Sequence, residues 1–131
     1  MRNDTSLNSI PHDLMNPQDA LHLLYNWDPL IRFLSEVLGY KLFRMADPMA
    51  ALTVNCMGAG QNHGWHYDES QVTITLLIQR SDEGGLFQTV PDLRKKDTDD
   101  YLKLGSILKG SDVGVVTLDV EPGDLLLFAG F

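Results

Sequence analysis

The stretch Gly64-Trp65-His66-Tyr67-Asp68-Glu69-Ser70-Gln71-Val72-Thr73-Ile74-Thr75-Leu76-Leu77-Ile78-Gln79 decides how this chain folds. In its second half Val72, Ile74, Leu76 and Ile78 alternate with Thr73, Thr75, Leu77 and Gln79. A period of two predicts a strand, because successive side chains point to opposite faces of an extended chain. In its first half His66 and Asp68 stand two residues apart, so an extended chain carries the imidazole and the carboxylate on one face.

Working outward, residues 81–85 read as a turn and residues 86–90 as a further strand. Two more strands, 114–120 and 125–129, are joined by Glu121-Pro122-Gly123-Asp124. Ahead of these two strands Leu102, Leu104, Ile107 and Leu108 suggest a short helix or an irregular cover. Upstream, Gly58, Gly60 and Gly64 punctuate a loop, and residues 40–45 and 51–57 read as strands separated by Asp47-Pro48. Before Gly39 the period becomes helical. Asn16-Pro17 and Asp28-Pro29 have the chemistry of helix starts, and Gly39 that of a helix stop. Residues 1–15 show no period and read as a flexible leader. Helices first and antiparallel strands after give an α+β, mainly β, class without βαβ alternation. The expected organisation is a leader over 1–15 and one domain over 16–131, helical over 16–39 and built of strands over 40–131.

Composition bounds the function. A chain of 131 residues is one ordinary domain. Its net charge of −8 argues against nucleic acid and acidic membrane surfaces, whose recognition needs clustered Lys and Arg. Cys56 is the single cysteine, so an internal disulfide is excluded and a reducing compartment fits. Neither a long apolar run nor an apolar signal core is present, and the cytoplasm is the expected location.

An imidazole and a carboxylate on one face make half of a chelating site. The 2-His-1-carboxylate facial triad of non-haem Fe(II) oxygenases has this requirement. H-x-D alone occurs often by chance, but here it sits in an ordered series. Asn55 ends a strand and Gly60 follows. After His66 and Asp68 come the alternating strand, then Glu83-Gly84-Gly85-Leu86-Phe87, then Glu121-Pro122-Gly123-Asp124-Leu125-Leu126-Leu127-Phe128. Over residues 40–131 this order resembles the Fe(II)/2-oxoglutarate-dependent oxygenase superfamily, in particular its prolyl-hydroxylase-like group.

The resemblance implies a double-stranded β-helix, or jelly roll, with the N-terminal helices packed outside it. It implies Fe(II) as cofactor and 2-oxoglutarate as cosubstrate. His66 and Asp68 take the places of the first two iron ligands, and Asn55 that of a hydrogen-bond partner of 2-oxoglutarate. Met57 stands where such enzymes frequently have a tyrosine. Related halogenases lack the carboxylate and leave a site for halide, so Asp68 favours hydroxylation or another oxidation. In the family a distal histidine and a basic anchor for 2-oxoglutarate follow the last apolar strand. The histidines here are His12, His22, His63 and His66, all before it. The expectation is therefore an incomplete β-helix lacking its last strands, inactive as an isolated chain, or completed by another chain.

Several residues carry two readings. Trp65, Ser70 and Arg94 are candidates for the substrate side; the blander readings are a packing residue, a locally bonded hydroxyl and a solvated loop cation. His63 is expected to be exposed or at the mouth of the site, with a replacement ligand as the alternative. His12 and His22 read as surface or cap residues, Cys56 as a small buried residue, and residues 97–100 as a solvated acidic loop.

The function expected is a dioxygenase acting on a small-molecule or amino-acid-like substrate. The alternatives are an inert jelly-roll binding module and a cupin-like metal protein with a solvent or partner ligand. The run Leu125-Leu126-Leu127-Phe128 suits a strand buried on both faces. Either a homodimer through residues 115–131 or poor solubility is expected if that edge stays open.

Overall fold

The computed structural model describes residues 4–68, 70–95 and 98–129. Residues 1–3 of the expected leader, Asp97 of the acidic loop and Phe131 lie outside the described residues. The protein is mixed α/β, with short helices and two-stranded antiparallel sheets. It divides into two compact units: Ser6–Gln61, and Asn62–Phe131 together with Met1–Thr5. The division expected at residue 15 does not mark this boundary, which follows the Gly58–Gln61 turn. No helix among the described residues is long and apolar enough to cross a membrane.

In the first unit, strand β1 (Asn8–Pro11) pairs antiparallel with β2 (Thr53–Cys56), Ser9 opposite Asn55. Part of the stretch read as leader is thus a strand. Helix α1 (Ala20–Tyr25) starts later than Asn16-Pro17 suggested. The Asn16 side chain instead accepts from the Gln18 N–H at 2.9 Å, closing a local turn that competes with helix. Helix α2 (Asp28–Leu38) has Pro29 in its first turn and ends at Gly39, whose φ of 76° is left-handed.

Residues 40–45 do not form the expected strand. Their polar groups are taken by the helices: Leu42 N–H donates to Ser35 Oγ, Arg44 Nε to the Tyr25 carbonyl, and Met45 N–H to Tyr25 Oη. Asp47-Pro48, read as a separator, starts a single-turn helix α3 (Pro48–Ala51), with Asp47 accepting from Met49 N–H.

A Cβ added at Gly39 would meet nothing within 4 Å, so only backbone strain opposes a side chain there. Gly39→Ala should therefore cost about 1–2 kcal/mol, the penalty of the left-handed conformation for an L-residue. A lowered urea midpoint with unchanged slope would show it.

In the second unit, β3 (Val72–Leu76) pairs antiparallel with β8 (Leu125–Ala129), Ile74 opposite Leu127. Both strands lie where the sequence put them. Backbone bonds between Leu77 and residues 123 and 124 extend the pairing. Strand β4 (Phe87–Thr89) pairs with β7 (Val116–Leu118), and β5 (Arg94–Lys95) with β6 (Thr98–Asp99). The Phe87 and Phe128 rings meet at 5.6 Å, linking β4 to β8. Helix α4 (Tyr101–Leu108) is capped by Asp100, which accepts from Lys103 N–H.

Arg80, beyond β3, pairs with Asp119 and Glu121 of the β7–β8 connection; Glu121, then Asp119, push its pKa up. Among the described residues the buried apolar side chains are Leu34 in the first unit and Leu93, Ile107 and Val120 in the second. Residues 125–128 are half-buried rather than buried on both faces.

Candidate metal centre

Residues 63–68 leave a turn-rich segment and precede β3, so this short loop carries the whole candidate centre within one unit. The Gly64 N–H donates to Thr5 Oγ1 at 3.0 Å, which anchors the loop to a residue 59 positions away. The Gly64 carbonyl in turn lies 2.8 Å from His66 Nδ1. A carbonyl only accepts, so Nδ1 carries the proton and the lone pair of the neutral ring is left on Nε2.

That lone pair faces a carboxylate. His66 Nε2 and Asp68 Oδ1 are 3.5 Å apart, with Asp68 the less exposed side chain, 24% against 46%. Two acceptor atoms do not attract each other across that gap; a cation between them is what the arrangement suits. A proton on Nε2 is one such cation and a metal ion the other. Two metal–ligand bonds of about 2.1 Å laid end to end exceed 3.5 Å, so one ion can touch both atoms. Imidazole nitrogen with carboxylate oxygen is a donor set suited to Fe(II). Among the described residues no group of three or more His, Cys, Asp or Glu side chains is set to hold a metal ion. The pair is therefore a partial donor set.

His63 belongs to this centre, which its sequence position in a glycine loop did not establish. Its ring stacks on that of His66, centroids 4.1 Å apart and planes 22° from parallel. Burial lowers the His63 pKa, the neighbouring His66 lowers it further, and Asp68 opposes both.

The other candidates fall as follows. Trp65 and Tyr67 flank His66 in the loop and are half-buried. The Ser70 hydroxyl is 2.7 Å from Thr73 Oγ1, a local bond at the entry to β3. Arg94 lies on β5, and its side chain is outside the described residues. Asn55 is on β2 of the first unit, where its Oδ1 accepts from Ser9 Oγ at 2.7 Å. Cys56 is exposed, not buried as expected.

His12 and His22, expected at the surface, are half-buried and stacked at 4.4 Å beside Tyr25. His12 Nε2 and His22 Nδ1 are buried with no hydrogen-bond partner among the described residues. Their planes lie only 15° from parallel, so the in-plane lone pairs do not converge on one ion.

Fold and site together define a small α/β protein with two-stranded antiparallel sheets and a His-x-Asp pair in the loop that precedes β3. The chain matches the family described as Halogenase D over residues 4–129, and it belongs to that family. No curated protein and no solved structure matches it.

Proposed function

We propose that the chain is an Fe(II)- and 2-oxoglutarate-dependent oxygenase of the Halogenase D family that hydroxylates rather than halogenates its substrate. The observation that carries this reading is the His66–Asp68 pair: a lone pair on Nε2 held toward a carboxylate oxygen at 3.5 Å, its tautomer set by the Gly64 carbonyl. The family supports an oxidative chemistry. Asp68 favours hydroxylation, because a carboxylate fills a coordination position that a halide would need.

The strand pairing supports a jelly roll. β3 pairs with β8, β4 with β7 and β5 with β6, each pair nested inside the one before. Nested antiparallel pairing is how a long hairpin rolls into that fold.

Fe(II) with 2-oxoglutarate and O₂ supplies an oxidant that converts a substrate C–H to C–OH, while 2-oxoglutarate becomes succinate and CO₂. The chain's own residues have narrower tasks. His66 binds through Nε2 and Asp68 through its carboxylate. The Gly64 carbonyl keeps the His66 proton on Nδ1, away from the metal side. Asn55 belongs to the first unit and is kept as a 2-oxoglutarate partner on the resemblance alone; its Oδ1 accepts from Ser9 Oγ. The substrate class proposed is a small molecule or an amino-acid-like compound.

Anaerobic titration with Fe(II) and 2-oxoglutarate tests this reading. A weak visible charge-transfer band, lost in His66→Ala, is the expected result. Absence of the band in the wild-type chain would favour the second reading, an inert binding module, which the half-exposed His66 ring and the partial donor set also suit.

A further inference from the structure

We infer that His63 is a positioning residue for the candidate centre: its ring packs on His66 and holds that imidazole in the orientation that turns Nε2 toward Asp68. The inference rests on the reading of His66 and Asp68 as metal ligands, and its metal-free test stands apart from that reading.

Three observations support it. The His66 side chain is 46% exposed, so general packing does not fix its ring. An exposed imidazole turns freely about its last torsion, which is broad and roughly two-fold, and turning it over puts Cδ2 in the place of Nδ1 and Cε1 in the place of Nε2. Only local contacts can set its direction. One is the 2.8 Å bond from Nδ1 to the Gly64 carbonyl, itself steadied by Thr5. Another, beside the 3.5 Å approach to Asp68, is the His63 ring, its centroid 4.1 Å away and its plane nearly parallel, which covers one face of His66. A hydrogen bond fixes where Nδ1 lies, and a stacked ring fixes the plane. Together they define where the Nε2 lone pair points.

The same geometry argues against His63 as a ligand. Ring lone pairs lie in the ring plane, and two stacked rings with centroids 4.1 Å apart and planes 22° from parallel do not send theirs to a common point. This agrees with the absence of a three-donor group among the described residues.

The experiment compares wild type, His63→Ala and His63→Phe. Phe keeps an aromatic face for stacking and removes every nitrogen donor. Nitrogen-15 NMR of the metal-free chain, at a pH where both rings are neutral, reads the His66 tautomer. Wild type and His63→Phe should hold mainly the Nδ1–H form, and His63→Ala should shift toward the Nε2–H form preferred by a free histidine side chain. Mn(II) binding followed by electron paramagnetic resonance should weaken about tenfold in His63→Ala and stay within about twofold in His63→Phe, as for other groups that orient a metal-bound histidine.

An unchanged tautomer in His63→Ala overturns the inference. Equal loss of Mn(II) in both variants overturns it too, by making His63 a ligand. If wild type binds no Mn(II), the metal reading fails, and the tautomer measurement alone decides the role of His63.

Discussion

Mn(II) affinity is expected to fall at least about 100-fold when alanine replaces either His66 or Asp68, because losing a mere orienting partner of a metal ligand already costs about 10–100-fold. Here the ligand itself is removed, and the pair supplies both protein donors that face each other across 3.5 Å. Calorimetry on the two variants checks it; unchanged binding in both would mean that the His66–Asp68 pair is not a metal site.

The two substitutions should differ in a second respect. His66→Ala removes a neutral donor, whereas Asp68→Ala removes a negative charge as well. A divalent ion beside Asp68→Ala therefore carries one more uncompensated positive charge, and an anion should enter the position the carboxylate leaves. With Co(II) as the probe, chloride should change the visible spectrum of Asp68→Ala and leave that of wild type unchanged. Chloride dependence in the wild-type protein would contradict the proposed choice of hydroxylation over halogenation.

What the sequence made legible follows the range of the contacts involved. The alternation over residues 72–79 placed β3, and the apolar run 125–129 placed its partner β8, since each strand's pattern is local to itself. The spacing of two singled out His66 and Asp68, but they lie in the loop before β3, where spacing alone does not fix direction; the 3.5 Å approach of their side chains comes from the loop's own fold. Strand β1 was not. Asn8, Ser9 and Pro11 carry no apolar alternation, and its partner β2 lies more than forty residues away.

Residues 40–45 look like a strand by composition, yet their backbone donors go to Ser35 and Tyr25 side chains, which no period announces. In the site, the orienting shell was hidden. The carbonyl of Gly64 and the hydroxyl of Thr5 have no side-chain signal of their role. A spacing of three in a glycine loop does not predict that His63 stacks on His66.

The second large effect concerns stability. Leu34 and Ile107 are each 3% exposed and are the most buried of the buried apolar side chains described, one in each unit. Truncating such a side chain to alanine costs about 2–5 kcal/mol, from lost transfer energy and the cavity left behind. A unit spanning residues 6–61 has about 3–8 kcal/mol in total at the usual 0.05–0.15 kcal/mol per residue. Leu34→Ala is thus expected to remove about half or more of the stability of that unit.

The chain provides its own reporters. It has two tryptophans, Trp27 in the first unit and Trp65 in the second. With Trp65→Phe as background, Trp27 fluorescence follows the first unit; with Trp27→Phe, Trp65 follows the second. Leu34→Ala should lower the urea midpoint seen by Trp27, and Ile107→Ala the one seen by Trp65. Each substitution should shift the other reporter less than its own. If both reporters move together by the same free energy, the two units unfold as one cooperative body, and the stability of the His66–Asp68 loop is then set by Leu34 as much as by Ile107.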